Sequence, residues 1–168
     1  MLDELREDFR RHGSRFGEPA LWAMAVFRFG QRVRTMNGAP RAVASKVYGG
    51  LRMGVEMSTG ISLHSETRVG EKLHLIHGAN IRIHPDVVIG NRVGIMHDVT
   101  IGLSEGDGAP VIEDDVFIGP GAKILGAIRV GAGAHIAANS LVITDVPAGA
   151  TMLGVPARPL PKRKPKPG

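Results

Sequence analysis

The sequence predicts an all-β solenoid, a parallel β-helix of hexapeptide repeats behind a short N-terminal α-helical segment. Three observations predict it. Aliphatic residues recur every six positions in three runs: Leu63, Val69, Leu75 and Ile81; Ile83, Ile89, Ile95 and Ile101; then Ile112, Ile118, Ile124, Val130, Ile136 and Val142. Four residues after the marker comes a second small or aliphatic residue, at Val87, Val93, Val99, Val116, Ala122, Ile128, Ala134, Ser140 and Val146. The composition agrees, because 23 glycines and only 4% aromatics leave the core to Ile, Val, Leu and Ala. Period six is neither the 3.6 of a helix nor the 2 of a plain strand. It suits a coil in which each hexapeptide gives one short side and a turn. Three hexapeptides then close a triangle, and the markers stack inward from coil to coil.

The order of elements follows. Residues 1–58 lack the repeat and read as a helical cap over the open first coil. Within them, residues 2–13 carry mixed charges at helical spacing, and residues 18–34 read as a helix with Pro19 in its first turn. On that helix Leu21, Met24, Ala25 and Arg28 share one side, and Trp22, Val26 and Phe29 another. A further helical segment spans 41–57, weakened by Gly49 and Gly50. Residues 59–150 form the β-helix, of about four to five coils. Between Ile101 and Ile112 the spacing is eleven instead of six, and the stretch LSEGDGAP reads as a loop expelled from a coil. Residues 151–168 leave the last coil, run along the prism and end in a basic, disordered tail.

Charge and composition exclude several classes. The net charge of +5 is concentrated, since Lys162, Arg163, Lys164 and Lys166 of the tail supply four cations. The rest of the chain is near neutral, which argues against a nucleic-acid partner. Cysteine is absent, so thiolate and disulfide chemistry are excluded and a cytoplasmic setting fits. The charged stretch from Asp3 to Arg11 does not read as a secretory signal. The longest apolar run, 20–27, is too short to span a bilayer. A weak membrane-surface contact through Arg28, Arg32, Arg34, Arg41, Lys46 and Arg52 is the alternative to a plain cap.

The repeat also places the histidines. His77 and His97 each stand two residues after a side-three marker, Leu75 and Ile95, so they occupy equivalent positions on adjacent coils, about 4.8 Å apart along the axis. His64 and His84 directly follow side-one markers and form a second stacked pair; His74 lies at a corner. Three uses are open. The imidazoles are a solvated ladder, a general base for a hydroxyl proton, or two ligands of a zinc ion completed by a neighbouring subunit.

At these residues the sequence resembles the hexapeptide-repeat acyltransferases, and within them the serine O-acetyltransferase branch with its polysaccharide-modifying relatives. The matching stretches are GISLHSETRVGEKLHLIHGANIRI, DVTIG and VFIGPGAKILGAIRVGAGAHIAANSLVITDVPAGATMLGVPARPL, about residues 60–160. The resemblance implies a left-handed coil, a homotrimer, and acetyl-CoA as co-substrate in grooves between subunits. It implies His77, in LIHGA, as the general base, with His97 a second candidate in the same pocket. It implies a pantetheine groove at Gly102, Gly119, Pro120, Ala122 and Ala138, residues that coil turning alone would also keep small, with backbone amide donors at Gly102 for the oxyanion. Lys123, Lys162 and Arg163 are either contacts for the CoA phosphates or a solvated charge run. No metal is needed for direct transfer.

The departures from that branch bear on the acceptor. Ser62 stands where the serine enzymes have an acidic residue before their DIHP histidine, and Ile76 stands where an aspartate precedes the catalytic histidine. Gly108, Ala109 and Pro110 replace their RHP segment. The groups that would grip a zwitterion are missing, which points to a sugar or polysaccharide-precursor hydroxyl. Ser62 and Asp98 are the expected substrate contacts, with Glu105 of the loop a possible substitute carboxylate. L-serine is the first alternative acceptor. The other rivals are a metal-dependent β-helical carbonic anhydrase-like lyase and a scaffold whose site has decayed.

Overall fold

The computed structural model describes residues 10, 17–106 and 108–161. Helix α1 spans Pro19–Arg34 and α2 spans Gly38–Thr59. Among the described residues fifteen short strands follow, grouped into three sheets. Sheet one holds β1 (Ser62–Leu63), β4 (Arg82–Ile83), β7 (Thr100–Gly102), β10 (Lys123–Leu125) and β13 (Leu141–Val142). Sheet two holds β2 (Arg68–Val69), β5 (Val88–Ile89), β8 (Val111–Ile112) and β11 (Arg129–Val130). Sheet three holds β3 (His74–Ile76), β6 (Gly94–Met96), β9 (Phe117–Ile118), β12 (His135–Ile136), β14 (Thr151–Gly154) and β15 (Ala157–Pro159). Strands within a sheet pair in parallel, except β14 with β15. The chain visits the three sheets in turn, which makes a parallel β-helix.

The register confirms the phase of the repeat. Leu63 pairs with Ile83, Val69 with Ile89 and Leu75 with Ile95. Most markers and their partners four residues on are buried in one continuous core. Ile128 is only partly buried, because it leaves the irregular turn that begins at Gly126.

Three details differ from the sequence reading. Ile81 is not a strand marker. It is a buried corner residue, and its carbonyl accepts from the Ser62 amide. The slip between Ile81 and Ile83 is therefore a two-residue insertion in the corner after β3. The coil also continues past residue 150, since Thr151 and Met152 pair with His135 and Ile136. Finally, Arg28 is buried and cannot serve a membrane surface, while Arg34 and Arg52 are held by Glu66 and Glu56.

Corners repeat a left-handed backbone residue. At the corner from sheet three to sheet one these are Asn80, Asp98, Gly121 and Asn139, all with φ between 52° and 73°. Asn, Asp and Gly tolerate that region best. Side chains stitch the corner from sheet two to sheet three: Asp114 accepts from the Asn91 amide at 2.8 Å, and Arg92 forks onto Asp115 at 2.6 Å through Nε and Nη2.

Helix α1 closes the first coil. Its Ala20, Ala23, Met24 and Phe27 join the core that contains Ile61, Leu63 and Leu73. Gly78 lets it approach, since a Cβ there would meet the Ala20 Cβ at 2.8 Å. Helix α2 buries no residue fully. It touches the coil through Tyr48, whose hydroxyl accepts from the Ser65 amide at 3.0 Å. Among the described residues no helix is long and apolar enough to cross a membrane.

Candidate active site

The corner from sheet three to sheet one carries both candidate bases. Strand register carries β3 and β6 in parallel up to Ile76 and Met96, so His77 and His97 leave their strands at matching points. Beyond that the two coils diverge. The amide of Asp98 donates to the Ala79 carbonyl, and the amide of Gly121 donates to the His97 carbonyl. Along this ladder the residue stacked with His97 is Ala79. The insertion pushes His77 out of the stack, where it takes its own left-handed conformation at φ 50° and an exposed position. The two imidazoles thus share a corner but not a ladder position.

His97 has a carboxylate partner. Its Nδ1 stands 2.9 Å from Asp98 Oδ2, in a half-exposed pair. Asp98 is held below the ordinary carboxylate range, first by this bond and then by the Asn80 side chain. Lys123 closes the cluster, donating through Nζ to the Asp98 carbonyl at 2.6 Å. An imidazole whose Nδ1–H donates to a carboxylate presents Nε2 as the acceptor. Asp98, expected as a substrate contact, has one carboxylate oxygen on the His97 ring. Lys123, expected beside the CoA phosphates, stands in this cluster instead. Asn80 was not expected; its signal was an Asn at a corner where left-handed backbone repeats.

The second histidine pair lies on the outer face of sheet one. His64 and His84 line a cavity of about 260 Å³ with Ser62, Arg82, Thr100 and Gly102. Ser62 Oγ stands 3.4 Å from His64 Nε2. His64 is held below its ordinary value, chiefly by burial and then by the Arg52 charge. Of the expected substrate residues, Ser62 thus faces this cavity. Of the expected groove residues, Gly102 does too. Pro120 and Ala138 sit at the histidine corner; the Pro120 carbonyl accepts from the Asn139 amide, and Ala138 is exposed beside it. Gly119 and Ala122 are buried. The Ala122 methyl lies in the core, and its carbonyl accepts from the Thr100 amide. A Cβ at Gly119 would meet Ala138 N at 2.8 Å and Ile136 O at 2.9 Å, so coil stacking alone accounts for that glycine.

Glu105 is exposed in the expelled loop. Lys162 and Arg163 lie outside the described residues. Among the described residues, no group of three or more His, Cys, Asp or Glu side chains is placed to hold a metal ion.

The fold and the corner define a class first: a parallel β-helix built from hexapeptides, with imidazoles at one corner. The family profile described as bacterial transferase hexapeptide (six repeats) matches residues 109–144. The chain is 42% identical over 103 residues to the serine acetyltransferase of Bacillus licheniformis, an alignment covering 60% of this chain and 48% of that protein. Its fold follows the Neisseria gonorrhoeae serine acetyltransferase in complex with serine, with a TM-score of 0.78 and 29% identity over 95% of this chain and 69% of that one. A serine acetyltransferase in complex with CoA gives a TM-score of 0.75 at 28% identity, over 94% and 66%. The repeat matches the hexapeptide profile over part of the chain, and the sequence and fold are similar to those of serine acetyltransferases. The coil is left-handed, as in those neighbours. The chain spans about half the length of the curated relative it matches.

Proposed function

We propose that the protein moves an acetyl group from acetyl-CoA to the hydroxyl of a small acceptor. It works as a homotrimer in the cytoplasm, with the co-substrate in a groove between subunits. What carries the reading is that the chain is similar in sequence to serine acetyltransferases and follows the fold of solved ones bound to serine and to CoA.

The step needs only a base and donors for the oxyanion. A corner imidazole, His77 by resemblance or His97 by its Asp98 partner, takes the acceptor proton. The acceptor oxygen attacks the thioester carbonyl carbon and forms a tetrahedral oxyanion. Collapse breaks the C–S bond, and the leaving thiolate takes the proton back from the imidazolium. The ester and free CoA are the products.

L-serine is the acceptor that the relatives favour. A sugar hydroxyl is the second reading, and Ser62 favours it by standing where the serine enzymes carry an acid. Release of free CoA from acetyl-CoA, with L-serine or with a panel of saccharides, tests both. Release with serine supports the first reading, and release with saccharides alone moves the assignment to the second. No acceptor-dependent release with either overturns the transferase reading.

A further inference from the structure

The outward residues of β1, β4 and β7 form a grid. Strand register sets Ser62, Arg82 and Thr100 in one row. Two residues on, His64, His84 and Gly102 continue as the second. Gly102 leaves a bare shelf, since the only atom within 4 Å of where its Cβ would stand is the His84 Cβ, at 4.0 Å. These six residues surround the cavity of about 260 Å³.

The lining has one sign. It offers a guanidinium, two imidazoles and two hydroxyls, and no carboxylate. Arg92, after β5 on the same coils, and Arg129, on β11 of the next coil, are spent on Asp115 and Glu113. Arg82 makes no ion pair among the described residues. Carboxylates nearby are engaged or at the rim: Glu56 with Arg52, Glu66 with Arg34, and Asp86, whose Oδ2 is 3.7 Å from His84 Nδ1.

We propose that this face binds an oxyanion carried by the acceptor, a carboxylate or a phosphate, and requires no ammonium group on it. The inference rests on the transfer reading above and names the acceptor class for it: anionic hydroxy compounds. A guanidinium gives an oxyanion two parallel N–H donors, and the flanking hydroxyls rotate to donate. An ammonium here would face Arg82 and two imidazoles without a counter-charge, which is unfavourable. The face adjoins the histidine corner, because Asn80, bonded to Asp98, precedes Arg82 by two residues.

CoA binding, measured first by calorimetry, tests the transfer reading by itself. D-glycerate, L-serine, ethanolamine and glycerol are then titrated with and without saturating CoA. All four carry a hydroxyl, and they are an anion, a zwitterion, a cation and a neutral molecule. Glycerate and serine are expected to bind within about threefold of each other, and the other two at least about tenfold more weakly. Arg82→Gln should weaken glycerate and serine by about tenfold or more and leave CoA binding unchanged. Arg68→Gln, on sheet two, should change neither. The proposal is overturned by serine binding about tenfold tighter than glycerate, by ethanolamine or glycerol binding as well as glycerate, or by no glycerate binding. Unaltered affinity in Arg82→Gln also overturns it. So does displacement of glycerate by CoA, which would give the oxyanion site to the co-substrate's phosphates. Absence of CoA binding counts against the transfer reading only, and the anion titrations still decide this one.

Discussion

His97 Nδ1 and Asp98 Oδ2 stand 2.9 Å apart at the corner that returns the chain from sheet three to sheet one. The pair is adjacent in sequence, and the left-handed φ of 60° at Asp98 is what turns the carboxylate back onto the ring. If Nε2 of His97 accepts the acceptor proton, Asp98→Asn removes the carboxylate that fixes the orientation of the ring. Asn keeps the left-handed turn. Turnover should fall by about one to two powers of ten, with the thermal midpoint little changed. Turnover equal to that of the parent would show that the pair is structural.

The two candidate bases separate by substitution. Alanine at His77 would confuse lost chemistry with backbone strain at φ 50°, so His77→Asn is the cleaner change. Removal of the residue that acts as base should cost about two to four powers of ten in kcat. Removal of the other should cost far less. Side-by-side CoA-release assays on His77→Asn and His97→Asn decide between them, and two fully active variants would remove both from the reaction.

The hexapeptide period fixed the phase of the coil from sequence, because inward markers must stack and tolerate little else. Leu63 over Ile83 and Leu75 over Ile95 were therefore readable. The corner was harder. Two added residues after β3 displace His77 from the ladder, and a period counted from Leu75 and Ile95 cannot show which corner residue absorbs an insertion. The Asp98 role was hidden for the same reason, since it depends on a local turn rather than on spacing. Arg82 was legible in principle, as the lone cation among outward residues of β1, β4 and β7, but only once those strands were known to be neighbours.

Gly119 separates structure from groove. A Cβ there would meet three backbone atoms of the next coil at 2.8 to 3.0 Å. Backbone cannot step aside as a side chain can, so Gly119→Ala should destabilise by about 1–3 kcal/mol. Chemical denaturation without CoA measures it. An unchanged midpoint would mean that coil stacking does not select the glycine.

Ile95 tests the core in the same way. It is fully buried between Leu75 and Ile118, its neighbours in sheet three. Ile95→Ala should cost about 2–5 kcal/mol through lost transfer energy and the cavity left behind. Val43 on α2 is 65% exposed, and Val43→Ala should fall within about 0.5 kcal/mol of the parent. Similar losses in the two variants would place Val43 in an interface.

His64 gives the fold a pH dependence of known sign. Burial holds it below the ordinary histidine value, with the Arg52 charge adding and Glu66 and Glu56 opposing. The unfolded chain therefore binds a proton that the folded chain resists, from about pH 6.5 downward. The stability tied to a neutral His64 is present above that pH and is lost as pH falls through the lowered folded value. Asp98, Glu113, Asp114 and Asp115 are also held below their ordinary values, but theirs is a carboxylate window, below about pH 4–5. Between about pH 7 and 5 the parent Tm should decline more steeply than that of His64→Gln, which carries no titrating group there. Parallel declines would show that the His64 proton is bound equally well before and after folding.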